Sequence, residues 1–389
     1  MNAHQQREAL RIHESRFGQQ GALFLAPARV NLIGEHTDYT GGFVLPMAIS
    51  FHTAAVISPH PEGEAAIYSS SFDEEVSFDI ASQPAPQGHW SDYPLGVLWS
   101  LRQQGISAES FRMSLAGDVP LGAGLSSSAS VSVATAMALL SQTSQTLPLE
   151  TLAAVCRRAE NDYVGAKSGI MDQFIVAGGV TRHAMLLDCR SLHYEMLLLP
   201  EDVRIVVCNS MVKHAVATGE YGTRRDEVEA GQAILQQHRP GITLLRDAML
   251  ADLEACREQM SPRSYARCRH ILTENQRVMQ AKEALLAGDM SRLGRLLIEA
   301  HASMRDDFEA SCAEVDALVE IAVRQPGCYG ARITGGGFGG CTVNLVHKEQ
   351  AESFVKQVRE DYERQTGIAA DCFLCEAADG AIAMRDSAQ

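Results

Sequence analysis

The sequence predicts an α+β protein of two domains, and three observations support that prediction. The chain has 389 residues, enough to bury two cores. Its first half mixes strand-like and helix-like segments, whereas its second half is richer in helices. The order of these segments does not follow the strand–helix–strand alternation of a doubly wound sheet. No low-complexity linker divides the chain, so we place a soft boundary near residue 200, which gives domains of residues 1–200 and 201–389.

Local patterns predict the individual elements. Phe111–Gly117 alternates between apolar and polar residues, as a half-buried strand does. The polar N-terminal stretch is predicted to be an amphipathic helix with Leu10, Ile12 and Phe17 inward. Further strands are predicted at Ala22–Val30, His52–Pro59, Val76–Ile80, Met185–Asp188, Val203–Cys208, Tyr329–Thr334, Cys341–Val346 and Cys372–Glu376. Further helices are predicted at Ser127–Leu140, Leu149–Tyr163, Glu220–Gln237, Pro262–Leu286, Met290–Met304, Cys312–Arg324 and Gln350–Gln365.

Composition argues against several classes of protein. The formal charge of −15 disfavours non-specific nucleic-acid binding. No apolar run approaches the roughly 18–20 residues that cross a bilayer, and the N-terminus lacks the apolar region of a signal peptide. The ten cysteines are scattered, and Cys372 and Cys375 have no second pair beside them. This favours reduced structural thiols in a cytoplasmic protein over disulfides, zinc or redox chemistry.

The segment APARVNLIGEHTDYTGGFVLP, residues 26–46, is the richest in polar groups of distinct chemistry. It places Arg29, Glu35, His36 and Asp38 within ten residues, before a double-glycine turn. Such a loop can surround a small polyhydroxylated ligand with hydrogen-bonding groups. A metal cluster is the weaker interpretation, because neither an HEXXH pattern nor a cysteine partner is present.

Two glycine-rich loops predict contact with phosphate or another close ligand. The first, GDVPLGAGLSSSAS at residues 117–130, joins a strand to a helix that starts in serines. A helix N-terminus suits phosphate, although one serine there would be an ordinary cap, and the lysine of a Walker A loop is absent. The second, TGGGFGG at residues 334–340, lies between two strands and is therefore not a dinucleotide-binding turn. Its glycines favour close approach to a ligand over a plain hairpin tip.

Two acids are ambiguous on their residues alone. Asp172, in the segment GIMDQ, could simply cap the next element. Glu160 could be a solvated acid beside Arg157 and Arg158.

These motifs, in this order, resemble those of the galactokinase family, which belongs with the homoserine, mevalonate and phosphomevalonate kinases. The resemblance rests on residues 26–46, on GLSSS, GIMDQ and TGGGFGG, and covers most of the chain, including RHILTEN and HASMRDDFE. Ala28 and Thr40 depart from the family's usual Gly and Asn. The resemblance implies a ribosomal protein S5 domain 2-like N-terminal domain, a ferredoxin-like C-terminal domain and an active site between them.

The resemblance also implies roles for single residues. Asp172 would be the catalytic base, and Arg29 would orient it and stabilise charge. The sugar would be bound by Glu35, His36, Thr37, Asp38, Gly169 and Tyr221. Tyr221 lies in a stretch that resembles the family's SEY…RR, here with Gly219 in place of Ser and followed by Arg224 and Arg225.

On the nucleotide side, the implied residues are Ser69, Trp90, Tyr93, Gly122, Ala123, Gly124, Leu125, Ser126, Ser127, Ser128, Gly336 and Gly337. Ser128 and Glu160 would hold Mg²⁺. The segment HWSDYPLG departs from the family's WANY at Ser91 and Asp92, so a core aromatic pair is the alternative interpretation of Trp90 and Tyr93. RHILTEN and HASMRDDFE are expected to support the site by packing.

The function implied is the transfer of the γ-phosphoryl group of ATP to the anomeric hydroxyl of α-D-galactose, with Mg²⁺. The expected partners are galactose and ATP, without nucleic acid or membrane, in a monomer or weak dimer. Two alternatives remain open: a kinase of the same fold that acts on N-acetylgalactosamine or another small alcohol, and a catalytically silent galactose and ATP sensor.

Overall fold

The computed structural model describes residues 1–61, 63–120, 122–143, 145–213 and 217–384. These residues form three sheets with helices packed on them, so the α+β prediction is confirmed. The strands are β1 Ala22–Asn31, β2 Phe43–Val44, β3 Pro46–Pro59, β4 Glu64–Ser69, β5 Glu74–Asp79, β6 Phe111–Gly117, β7 His183–Asp188, β8 Tyr194–Leu198, β9 Val203–Lys213, β10 Cys328–Thr334, β11 Gly339–His347, β12 Asp371–Cys375 and β13 Ile382–Met384. The α-helices are α1 Ala3–Phe17, α2 Asp92–Gln103, α3 Ser127–Leu140, α4 Leu149–Arg158, α5 Met171–Gly178, α6 Ala217–His238, α7 Leu250–Ala255, α8 Pro262–Leu286, α9 Met290–Asp306, α10 Ala313–Val323 and α11 Ala351–Thr366.

The largest sheet has the strand order β13-β1-β3-β6-β4-β5. Helices α3 and α5 pack on β1 and β3, α2 and α4 join the same core through α3, and that core contains Phe111 and Val133. Helix α3 has the predicted bounds, because its small residues let it lie against β1 and β3. The last strand, β13, returns from the far end of the chain to pair with β1. The division of the chain at residue 200 stays a prediction.

A second sheet, β10-β11-β9-β12, forms the other large core. Helices α10 and α11 pack on one of its faces, around Leu318, Phe354 and Tyr362. The glycine-rich loop lies at the turn between β10 and β11, as the strand–loop–strand interpretation predicted. Strands β2, β7 and β8 make a small third sheet.

Two details of the predicted helices were wrong. In α1, Leu10 is exposed and the buried residues are Ala9 and His13. His13 is held there because its ring nitrogens lie 2.9 Å from Ser58 Oγ and 3.2 Å from Ser114 Oγ. The predicted helix Leu149–Tyr163 is α-helical only to Arg158 and continues as a π-helix over Ala159–Val164.

All ten cysteines are free thiols, as predicted. Of the helices in the described ranges, none is both long enough and apolar enough to cross a membrane.

Candidate active site

A partly buried ion pair joins the first strand to helix α5. Arg29 Nε donates to Asp172 Oδ1 at 2.7 Å, and Arg29 Nη2 donates to Asp172 Oδ2 at 2.8 Å. The Arg29 side chain is 6% exposed and that of Asp172 is 25% exposed. Burial lowers the pKa of Arg29, but the charge and hydrogen bonds of Asp172 outweigh it and raise that pKa. The Arg29 guanidinium is therefore charged, and the Asp172 side chain keeps an open side.

The serine-rich loop meets this pair. The third Arg29 nitrogen, Nη1, donates to the carbonyl of Gly124 at 2.6 Å. The hydroxyl of Ser126 donates to Asp172 Oδ2. Ser126 has a φ of 58°, a left-handed conformation that is costly for a residue with a side chain. Its hydroxyl makes no cap bond to α3, so the first N–H groups of that 14-residue helix remain available to an anion.

A cavity of about 620 Å³, the larger cavity, opens beside the start of α3. Its walls include Ser127, Ser128, Ser69, Trp90 and Tyr93. Trp90 stacks on Phe72, with their ring planes 6° apart and their centroids separated by 6.0 Å. Trp90 and Tyr93 are half-buried at a cavity wall, and Trp90 also packs against the core of the largest sheet.

The departure from the family pattern at Asp92 has a local reason. Its Oδ2 accepts hydrogen bonds from the backbone N–H groups of Gln87, Gly88 and His89, at 2.7 to 3.0 Å. Asp92 thus closes the turn that precedes Trp90 and starts helix α2.

A smaller cavity of about 180 Å³ is lined by both members of the ion pair. Its lining joins predicted residues to new ones: Arg29, Glu35, His36, Asp38, Ser168, Gly169, Met171, Asp172, Tyr221, Gly335 and Gly336. Gly169 is required by space, because a Cβ built on it would lie 1.7 Å from Asp38 Oδ2. Burial, followed by the charge of Asp172, raises the pKa of Asp38 to about 6.

Aromatic rings form one wall of the smaller cavity. His36 has a φ of 63° and stacks on Phe308, with the ring centroids 4.1 Å apart. Phe308 is fixed in turn by Arg224, whose Nε donates to its carbonyl at 3.0 Å. Burial, then the nearby His270 and Arg332, lowers the pKa of His36 to about 3, so its imidazole is neutral at physiological pH.

Glu35 links the loop after β1 to the glycine-rich hairpin. Its Oε1 accepts a hydrogen bond from the N–H of Gly335 at 2.9 Å, and Arg332 Nη2 lies 3.6 Å away. Burial raises the pKa of Glu35, while Arg332 and Arg29 oppose that rise. The hairpin therefore reaches the smaller cavity through the backbone of Gly335 and Gly336.

Glu160 lies on the π-helix, close to the start of α3. Its carboxylate accepts hydrogen bonds from Ser128 and from Gln173 Nε2. Burial, followed by the charge of Asp172, raises its pKa to about 7. Because π-turns are often found at functional sites, the local irregularity agrees with a role beyond packing. Among the residues that the structure describes, no group of three or more His, Cys, Asp or Glu side chains is placed to hold a metal ion.

Thr37 and Gly337, which were predicted to contact the ligands, line neither of the two cavities, whereas residues next to them do. The Thr37 hydroxyl donates to the backbone at Gly34 and Phe43 and braces the loop from within. Gly337 packs against Ala310, whose carbonyl would lie 2.4 Å from an added Cβ, whereas Gly336 faces the smaller cavity.

The sequence did not single out several residues of the two cavities. They are Phe72, Ser168, Met171 and Gly335, which line the walls, and Gln173, which holds Glu160. Met171 and Gln173 lie within GIMDQ, Gly335 lies within TGGGFGG and Ser168 directly precedes GIMDQ, so membership of these motifs or adjacency to them was the available signal for all except Phe72.

The segment RHILTEN in α8 supports the loop, as expected. Glu274 accepts a hydrogen bond from the N–H of Gly34 at 2.9 Å, and Asn275 accepts one from the N–H of Phe43 at 2.8 Å. A ring nitrogen of His270 lies 3.2 Å from the carbonyl of Glu35. Helix α8 therefore fixes the backbone of the loop that carries the polar cluster.

Three family models match the chain. They are the galactokinase galactose-binding signature over residues 11–59, the GHMP kinase N-terminal domain over residues 92–179 and the GHMP kinase C-terminal region over residues 281–364. A galactokinase of Roseiflexus sp. (strain RS-1) is 41% identical over 364 residues, which are 94% of this chain and 93% of that protein. A galactokinase of Chloroflexus aggregans (strain MD-66 / DSM 9485) is 41% identical over 356 residues, 91% of each chain.

Solved structures agree with these relatives. Lactococcus lactis galactokinase complexed with galactose superimposes with a TM-score of 0.92 and 32% identity, covering 97% of this chain and 99% of that one. Methanococcus jannaschii mevalonate kinase, at 17% identity and a TM-score of 0.65 over 92% of this chain and 99% of that one, shares the fold.

Proposed function

The chain belongs to the galactokinase family of sugar kinases, and we propose that it transfers the γ-phosphoryl group of ATP to the anomeric hydroxyl of α-D-galactose. One observation carries this proposal: the Arg29–Asp172 pair lines the smaller cavity, and Ser126, which donates to Asp172, directly precedes Ser127 and Ser128 in the wall of the larger cavity. The larger cavity has a helix start and aromatic rings, which suit a nucleotide. The smaller has acids, an imidazole and a phenol, which suit a sugar.

The sugar would occupy the smaller cavity. Glu35 and Asp38 would accept hydrogen bonds from its hydroxyls, the neutral imidazole of His36 can donate or accept, and Tyr221 can donate. A buried acceptor penalises an epimer that lacks the matching hydroxyl, because the acceptor is then left unpaired. This supports a pocket that discriminates between galactose and glucose.

In the proposed reaction, the carboxylate of Asp172 accepts the proton of the anomeric hydroxyl as that oxygen bonds to the γ-phosphorus. The bond between the γ-phosphorus and the β–γ bridging oxygen breaks, and ADP leaves with the electron pair. Arg29 holds the two Asp172 oxygens in place and offsets the negative charge beside them. Positioning and charge stabilisation supply most of the catalysis in phosphoryl transfer.

The side chains of Ser128 and Glu160 fit a magnesium ion held between them. Mg²⁺ is commonly held by one or two protein oxygens together with phosphates and waters, and these side chains offer a hydroxyl and a carboxylate. Burial raises the pKa of Glu160, and within the described part of the chain no Lys, Arg or His forms an ion pair with it, so a cation would stabilise its charged form. The buried Oε1 of Gln173 also has no hydrogen-bond partner among the described residues. When bound, the ion would neutralise charge on the phosphates.

We further propose a cytoplasmic location and a monomer or weak dimer that binds neither nucleic acid nor membrane. The free cysteines support the cytoplasmic location. The charge of −15 supports the absence of nucleic-acid binding.

The decisive experiment is a substrate panel with purified protein, ATP and Mg²⁺, measuring ADP release. Galactose should be the preferred acceptor over glucose and N-acetylgalactosamine. Preference for N-acetylgalactosamine would favour the rival kinase, and binding of galactose and ATP without ADP release would favour a silent sensor.

The metal assignment has its own test. Ser128→Ala and Glu160→Gln should raise the Mg²⁺ concentration needed for half-maximal activity, while calorimetry shows galactose binding close to wild type. Full activity of both variants at limiting Mg²⁺ would contradict the assignment.

A further inference from the structure

Besides the hairpin that carries Gly335 and Gly336, three separate segments of chain line the smaller cavity. They are the loop after β1, which carries Asp38, the loop before α5, which carries Gly169, and helix α6, which carries Tyr221. The pocket keeps its shape only while these segments hold their relative positions. Arg225, one turn after Tyr221 on α6, is outside the cavity lining yet contacts both of the other segments.

Its first contact is with the loop before α5. Arg225 Nη1 donates to the carbonyl of Lys167 at 2.7 Å. Lys167 directly precedes Ser168 and Gly169 in the cavity wall, and Gly169 is the residue against which Asp38 packs without room for a Cβ. The position of this loop therefore decides the space beside the Asp38 carboxylate.

Its second contact is with the loop after β1. The guanidinium carbon lies 5.3 Å from the centre of the Tyr39 ring, within the range of a cation–π interaction. The Tyr39 hydroxyl lies 3.3 Å from Nδ1 of His36, and its ring meets that of Tyr221 edge to face, with the centroids 6.4 Å apart. Arg225 thus orients the ring that supports two cavity residues.

The third contact of the Arg225 guanidinium is on the outer surface of helix α6. Arg225 Nε donates to Glu229 Oε1 at 2.9 Å along the same helix, and the Arg225 side chain is 24% exposed. The guanidinium therefore uses one edge for the helix surface and the other edge and face for the two loops.

We infer that Arg225 is a positioning residue that holds these three segments of the sugar pocket together, so that it governs the affinity for the acceptor sugar and not the chemical step. This inference rests on the proposed function, which places the sugar in the smaller cavity. Among the residues that the structure describes, no hydrogen bond or ring contact joins Arg225 to the Arg29–Asp172 pair or to the lining of the larger cavity.

The test is Arg225→Met, which keeps the length of the side chain but removes its donors and charge. The galactose KM should rise about 10-fold, equivalent to about 1.4 kcal/mol, as expected for one lost charge-assisted hydrogen bond. The kcat at saturating galactose and the ATP KM should stay within about twofold of wild type. Arg225→Lys should recover part of the KM, because an ammonium can still contact the Tyr39 ring and a carbonyl.

Asp226→Asn is the matched control. Asp226 is the next residue, and its carboxylate lies 3.4 Å from Lys167 Nζ, with both side chains more than half exposed. Such a surface pair contributes little, so this variant should keep the wild-type galactose KM.

Three outcomes would overturn the inference: an unchanged galactose KM in Arg225→Met, an equal rise in Asp226→Asn, or a loss of kcat that follows a lower melting temperature with the KM unchanged. If Arg225→Met does not fold, a wild-type galactose KM in Arg225→Lys together with one in Arg225→Gln would equally refute it. Turnover of galactose by the wild type, measured in the same assay, tests the proposed function separately.

Discussion

Replacement of Asp172 by asparagine tests the centre of the proposed reaction. The carboxylate accepts two hydrogen bonds from Arg29, at 2.7 and 2.8 Å, and a third from Ser126. Asparagine keeps the shape but offers one oxygen and an NH₂ group. One Arg29 donor would then face another donor, and the negative charge and the proton acceptor would both be lost.

The chemical and structural consequences differ in size. Loss of a positioned general base lowers kcat by about 10²–10⁴-fold. Removing one partner of a fully buried ion pair costs ~3–5 kcal/mol of stability. Here the Asp172 side chain is 25% exposed and Arg29 keeps its bond to the Gly124 carbonyl. We therefore expect a loss of only ~1–3 kcal/mol in the free energy of unfolding, in the range for one unsatisfied group.

The assay combines three measurements on purified Asp172→Asn. ADP release at saturating galactose and ATP gives kcat, calorimetry gives galactose affinity, and thermal melting gives stability. We expect a kcat at least 100-fold lower, galactose binding retained and a modest fall in melting temperature. Arg29→Lys is the companion variant, because it keeps the charge but loses the two-pronged contact, and its kcat should also fall.

The opposite pattern would refute this reasoning. If Asp172 and Arg29 are only structural, Asp172→Asn would melt early yet turn over normally at temperatures where it is folded. A kcat within about tenfold of wild type under those conditions would exclude Asp172 as the base.

Three further predictions follow from the geometry. Gly169→Ala should raise the galactose KM by about 10-fold or more, because its Cβ would lie 1.7 Å from an Asp38 oxygen, and a wild-type KM would show that the two loops separate freely. Burial raises the pKa of Glu160 to about 7 against an ordinary value of 4.5, so its stabilising contribution is full below about pH 4.5 and is lost as the pH rises to about 7. Without Mg²⁺, the melting temperature of Glu160→Gln minus that of wild type should therefore increase from pH 5 to pH 8, and a constant difference would contradict the shift. Asp92→Ala removes the acceptor of three backbone bonds in the turn before Trp90, so it should raise the ATP KM several-fold while the galactose KM stays unchanged.

The sequence predicted the elements where a single local pattern decides the structure. Helix α3 has the predicted bounds because its run of small apolar residues suits a buried helix and little else. The glycine-rich hairpin was predicted because strands flank it on both sides. Leu10 was misplaced because amphipathic spacing does not say which side of a polar helix meets the sheet, and bonds from His13 to Ser58 and Ser114 decide that.

For the candidate site, the sequence supplied the chemical groups and, through the family resemblance, their proposed roles. Arg29 and Asp172 are 143 positions apart, and only the packing of β1 against α5 brings their charges into contact. Tertiary packing likewise brings Gln173 of α5 into contact with Glu160 on the π-helix. It also brings Arg225 into contact with two loops that are distant in sequence. Local patterns report interactions between near neighbours in the chain, whereas burial, pKa shifts and cavity shape depend on groups that approach only after folding. The sequence by itself therefore determined the family, the fold class and the list of reactive groups, and the tertiary structure decided which of those groups touch, how deeply each charge is buried and which residues line each cavity.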